Sequence, residues 1–331
     1  MTQAIISPKS KLWQPLITLY TRISQNPVVL KELRSRMRGG KTFWAITSYL
    51  GILSLVVGMI YTSMVALDSS MGMYSGYSNN TSIRSEIGSA IFSTVLTLQF
   101  FFVIMTAPTL TSNAITAERE NQTFDLLRTT LLSAKSLAGG KIYAAMFFII
   151  LLLMAALPVQ SIALLFGGVE FPELMIVTLV MMATALLLCN MGVFFSSLVK
   201  RTAVANGLST GFSVFFIFMA PVLFSFFFGI SVSRLMGYSN YAASGSDPSP
   251  AFLYLLGVLF WILVSLNPIS ALLASQIILV EEQSYFFAKI PIDKGVDFFV
   301  ISPWISCVVF YMVLSYFVFR MSVNLIKQKE K

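Results

Sequence analysis

Four close pairs of carboxylates are the first place to look for chemistry in this sequence: Glu118/Glu120, Glu170/Glu173, Glu281/Glu282 and Asp293/Asp297. Two carboxylates can divide acid and base roles between them or share a metal. Neither use is supported by a companion residue, because the chain contains no His. His triads, imidazole metal sites and His proton shuttles are therefore excluded. The two cysteines, Cys189 and Cys307, fall inside apolar runs and read as small buried hydrophobes. Gly40-Lys41-Thr42 resembles the end of a phosphate loop, but the first Gly of that motif would fall at Ser35. The segment also leads into an apolar run and follows no strand. Each acidic pair is accordingly read as solvated loop charge, and the chain as one with no catalytic constellation, metal site or cofactor of its own.

The elements that carry these residues are set by composition. Hydrophobic residues make up 56% of the 331-residue chain and charged residues 11%, against about 25% charged in ordinary soluble domains. So few charges cannot cover a water-soluble surface of this size. The sequence is that of an all-α, polytopic integral membrane protein. A span needs roughly 20 apolar residues, and five runs reach that length: 43–67, 89–114, 142–166, 174–199 and 208–230. A sixth, 302–320, is shorter but sufficient. Before it lies 251–280, apolar but broken at Asn267-Pro268, which is either one kinked span or a re-entrant hairpin.

The net charge of +8 would on a soluble chain point to nucleic acid; its distribution points to membrane topology instead. Eight Lys and Arg precede Phe43, four lie between the second and third runs, two follow the fourth and four lie at the C-terminal end. With 251–280 re-entrant, these 18 of 22 fall on one side, which the positive-inside rule makes cytoplasmic. The count favours six spans with both termini inside. The expected organisation is a cytoplasmic N-terminal segment 1–42 without a cleavable signal, a transmembrane domain 43–320 and a cytoplasmic tail 321–331.

Inside the runs there is no Asp, Glu or Lys, and Arg320 lies at a boundary. Intramembrane ionisable groups usually mark proton or ion pathways, so their absence argues against a proton-coupled carrier or a charged-ring channel. Transport by this chain would draw its energy from elsewhere.

Two cytoplasmic segments stand out. In the first, Asn26 is a good N-cap and Pro27 suits the first helical position. Val29, Leu33 and Met37 recur every four residues, with Lys31, Arg34, Arg36 and Arg38 supplying a basic remainder. This pattern fits an amphipathic helix on the membrane surface, held by anionic headgroups or simply orienting the first span. The second segment is 115–141. Thr123 is placed to cap a helix along which Phe124, Leu127 and Leu131 share a face. That face can dock a partner or pack on the membrane.

The run ERENQTFDLLRTTLLSAKSLAGGK resembles the first cytoplasmic loop of ABC transporter permeases of the type-2, exporter-like class. The matching positions are Glu118, Arg119, Glu120, Thr123, Leu126, Leu127, Thr129, Thr130, Ser133, Gly140 and Lys141. The NPVVLKELRSRMR segment is similar to that family's surface helix, and Asn267-Pro268 to a break before its last span. The sequence departs where the family commonly has Gly before the Thr (here Gln122), and Pro at the positions of Leu131 and Ala134.

The resemblance implies a six-span half-transporter that pairs with a second permease copy or a paralogue. It implies a separate cytoplasmic ATPase subunit, carrying the ATP and Mg, that docks on the 118–133 loop. It further implies alternating access, in a bacterial or archaeal cell membrane, and places 251–280 as a partly inserted hairpin. Two other functions fit the same residues: an ATP-independent channel or facilitator, and a non-transporting scaffold for which the loop is only a docking site.

Overall fold

The computed structural model describes residues 27–37, 40–72, 80–122, 133–219, 222, 250–282, 284–293 and 296–328. Six of its helices are long and apolar enough to cross a membrane, and one further pair is sharply bent. In chain order, α1 is Pro27–Met37, α2 Gly40–Gly72, α3 Asn80–Ser112, α4 Thr116–Glu120 and α5 Ala134–Phe166. They are followed by α6 Phe171–Leu198 and α7 Thr202–Val214, which widens into a π turn over Phe215–Met219. Then come α8 Pro250–Leu266, α9 Pro268–Glu282, strands β1 Phe287–Asp293 and β2 Val296–Ile301, and α10 Pro303–Gln328. The all-α polytopic architecture stands, with one short antiparallel hairpin added to it.

The long helices overrun the apolar runs because local capping sets their ends. The Ser133 side chain accepts the N–H of Ser136 at 3.2 Å and starts α5 well before its apolar run. Gly167 ends the same helix in the left-handed region, at φ 80°, where a side chain would be strained. Pro172 lies in the first turn of α6, where no intrahelical N–H is lost.

α6 is the hub. Its apolar window is 61% buried against 11% for α2, and it packs on α3, α5, α7 and α10. Gly192 brings α6 close to α3: a Cβ there would lie 2.8 Å from the Pro108 carbonyl and would also strike the Thr111 side chain. Small residues at a helix seam are a common means of packing in lipid, where apolar burial gives little drive. Polar pairs add to it. Gln160 Nε2 donates to Gln99 Oε1 at 2.6 Å between α5 and α3, and Asn190 Nδ2 to Ser315 Oγ at 2.7 Å between α6 and α10. Peripheral α2 is held by a stripe at four-residue spacing, Tyr49, Leu53 and Val57, which is its buried face. Tyr49 meets Phe102 of α3 edge to face at 5.1 Å.

The segment broken at Asn267 turns by 117° between its two arms, 257–266 and 268–276, and so doubles back. Irregular backbone in a membrane protein must be satisfied by protein or water, and here side chains do it. Pro268 has no N–H for the Val264 carbonyl, which accepts from Ser270 Oγ at 2.8 Å instead. Tyr311 of α10 donates its hydroxyl to the Leu266 carbonyl at 3.2 Å. Asn267 Oδ1 accepts from the N–H groups of Ile269 and Ser270, at 2.9 and 3.1 Å, and caps α9.

The hairpin follows, with Phe287 opposite Ile301, Lys289 opposite Phe299 and an irregularity between Pro291 and Asp293. Its base is tied to the bundle end that carries the α5–α6 turn. Tyr285 donates its hydroxyl to the Glu170 carboxylate, and Trp304 Nε1 donates to the Tyr285 carbonyl at 2.8 Å.

Candidate functional site

At the other end of the bundle, where the basic residues gather, Glu118, Arg119 and Glu120 occupy the short helix α4. A turn at residues 113–115 offsets this helix from α3. Ser196 of α6 fixes the offset, its hydroxyl accepting the N–H groups of Ile115 at 2.9 Å and Thr116 at 3.1 Å. These donors would otherwise be orphaned at the start of a helix. The three charged side chains that follow each grip a different element.

Glu118 reaches Lys141 in the first turns of α5, with Oε1 to Nζ 3.0 Å. The same ammonium meets Glu32 Oε1 of α1 at 2.8 Å. Lys141 thus joins the surface helix, the charged turn and the start of α5. α5 is about 50 Å long at 1.5 Å per residue, against roughly 30 Å of hydrocarbon, so Lys141 lies beyond the apolar run. Burial pulls the Lys141 pKa down, while hydrogen bonds and charge from Glu32 and Glu118 pull it up by more. The net shift is upward, and the lysine stays charged.

Arg119 Nη1 points at the end of α6, 3.2 Å from the Val199 carbonyl and 3.5 Å from that of Ser197. A cation at a helix C-terminus satisfies leftover carbonyls and complements the helix dipole. Burial lowers the guanidinium pKa, which still leaves it protonated. Glu120 takes the opposite helix end: Oε1 accepts the Thr202 N–H at 2.8 Å, and Oε2 accepts the Thr202 hydroxyl. Arg201, the residue before α7, makes no side-chain cap, so Glu120 caps that helix from another element. The hydrogen bonds from the Thr202 side chain and backbone, with help from the charge of Arg201, hold the Glu120 carboxyl below its ordinary range against a smaller effect of burial.

The N-terminal segment is helical where it is described. α1 starts at Pro27, buries Val29 (3% exposed), half-buries Leu33 and leaves Lys31 and Arg34 exposed. Its buried face meets α5. Met37 closes the helix. Ser133 is a cap of α5, and Gly140 is buried beside Lys141. Asn267 and Pro268 form the break of the bent pair, far along the chain from this cluster. Asn26, Thr123, Leu126, Leu127, Thr129 and Thr130 lie outside the described residues. Reading the sequence did not single out Glu32, Ser196 or Thr202. Glu32 carried a signal, as the one acid in a basic helix; Ser196 and Thr202 carried none.

The charged side chains of this junction tie α1, α4, α5, α6 and α7 together close to Gln122. The sequence matches no protein-family model and no curated protein.

Proposed function

We propose that this chain is the membrane-spanning permease subunit of an ATP-driven ABC transporter, an exporter, which moves its substrate by alternating access and is powered by a separate cytoplasmic ATPase. The observation that carries this reading is the junction itself. Movement of Glu118, Arg119 and Glu120, which shortly precede 123–132 in the chain, would act through these contacts on α5, α6 and α7. Packed helical bundles convert such a displacement into rigid-body movement.

A second feature supports the family resemblance. Gln122, where the type-2 exporter-like permeases commonly carry Gly, has φ 56°, in the left-handed region that favours Gly. The absence of Asp, Glu and Lys from the apolar runs fits an engine housed on another subunit. In this reading the basic end is cytoplasmic, both termini lie inside a bacterial or archaeal cell membrane, and a second permease copy or paralogue completes the pathway.

The test is purification of the tagged chain from its native membranes in mild detergent. The reading expects stoichiometric recovery of a Walker-motif ATPase, encoded beside the gene. Transport by the purified chain without any ATPase would instead support a facilitator, and stable recovery of other membrane proteins alone would support a scaffold.

A further inference from the structure

Glu120 holds the first residue of α7, and among the described residues a second side chain, that of Asn267, reaches the far end of the same helix. In a regular α-helix the Ile217 carbonyl would accept the N–H of residue 221, but that residue is Pro221, which has none. Ile217 lies in the π turn and is 1% exposed. Its carbonyl accepts from Asn267 Nδ2 at 2.7 Å. The other atom of that amide, Oδ1, caps α9 through Ile269 and Ser270. One side chain, itself 6% exposed, therefore joins α7 to the corner of the bent pair.

Two observations fit α7 as an element that can move. Its apolar window is only 22% buried, against 61% in neighbouring α6. A π turn also stores one extra residue per turn, a register that a helix can shift through and that often marks functional positions. From Thr202 to Ile217 is 15 residues, or roughly 22 Å of helix. That length carries a displacement from the basic end deep into the bundle.

We infer that α7 is a lever joining the charged junction at the basic end to the bent helix pair, with Asn267 as the positioning residue that passes the movement on. A shift of the Thr202 end, gripped by Glu120, moves the Ile217 carbonyl; Asn267 follows it, and with Asn267 goes the cap of α9. The inference rests on the reading that movement enters at the Glu118–Glu120 turn, but its test needs no ATPase, so either can fail without the other.

The experiment is hydrogen–deuterium exchange on the purified chain in nanodiscs, read over 269–276. Glu120→Gln is expected to raise exchange there by about fivefold, the scale of one hydrogen bond's net contribution. Asn267→Ala is expected to raise it on its own and to abolish the further response to Glu120→Gln. Asn190→Ala, which removes the Asn190–Ser315 bond between α6 and α10, should leave the Glu120→Gln response intact; that separates coupling from general loosening. An unchanged 269–276 segment in Glu120→Gln overturns the lever, as does an equal response with and without Asn267. Should Asn267→Ala not yield a monodisperse chain, Glu120→Gln decides alone, since a response at 269–276 no larger than that at 303–311 also overturns it.

Discussion

Glu120 accepts the backbone N–H of Thr202 at 2.8 Å, so the N-terminus of one membrane helix is capped by the charged turn that follows another. Glu120→Gln keeps the shape of the side chain but removes the charge that complements the helix N-terminus. A carboxyl whose folded pKa is depressed, as that of Glu120 is, contributes stability that is complete above its ordinary unfolded value and is lost as pH falls through the depressed one. The melting-temperature gap between wild type and Glu120→Gln should therefore be constant from about pH 5.5 to 8 and close only below about 4.5. A gap that grew on acidification would mean the carboxylate is not what holds Thr202.

Lys141 stands between Glu118 and Glu32, at 3.0 and 2.8 Å, with 13% of its side chain exposed. Lys141→Met takes away the cation and leaves two nearby carboxylates facing each other. Removing one member of a largely buried ion cluster costs more than the cluster's net worth, and partial exposure discounts that cost. A loss of about 1–3 kcal/mol is expected, larger than for Glu32→Gln. In thermal unfolding, Glu32→Gln and Lys141→Met should combine to less than their sum. Strict additivity would show that α1 is not fastened to α5 through this contact.

Much of this arrangement was legible in the sequence, for reasons that also explain what was not. Each span is announced by an apolar run, and Pro268, with no N–H, announces the break it makes. The helix ends were not, because caps such as Ser133 and Gly167 lie outside the hydrophobic pattern. α7 starts at Thr202 and not at Leu208 because its first turns, with Asn206 and Gly207, are too polar to count as a run. The β-hairpin left no trace either: Val296–Ile301 is nearly continuous apolar chain and reads as an approach to the last span. Charge composition singled out the Glu118–Glu120 turn, yet nothing local links Glu32 to Lys141 or Glu120 to Thr202. Those contacts exist only once α1, α5 and α7 have converged.

The α3–α6 seam is a separate matter of space. At Gly192 a Cβ would lie 2.8 Å from the Pro108 carbonyl, and backbone cannot swing aside as a flexible side chain can. Gly192→Ala should force α3 and α6 apart at the point where Cys189 and Ala107 also meet. Overpacking of this kind costs about 1–3 kcal/mol. The expected readout is a lower melting temperature with the oligomeric profile on gel filtration preserved. Wild-type stability in Gly192→Ala would mean that the seam is looser than these distances require.

The central claim, that an ATPase docks on the 118–133 loop, is most directly tested by asking whether a Walker-motif ATPase from the native membranes co-purifies with wild type and with Leu127→Asp. Leu127 lies on the apolar face read from the sequence, so a carboxylate there places an unpaired charge in the proposed contact. Loss of a central apolar anchor typically costs 2 kcal/mol or more, roughly a 30-fold weakening. The account predicts a stable wild-type complex and its loss in Leu127→Asp, with the melting temperature of the isolated chain unchanged. Equal recovery of the ATPase with both proteins, and equal ATP-dependent transport, would contradict it.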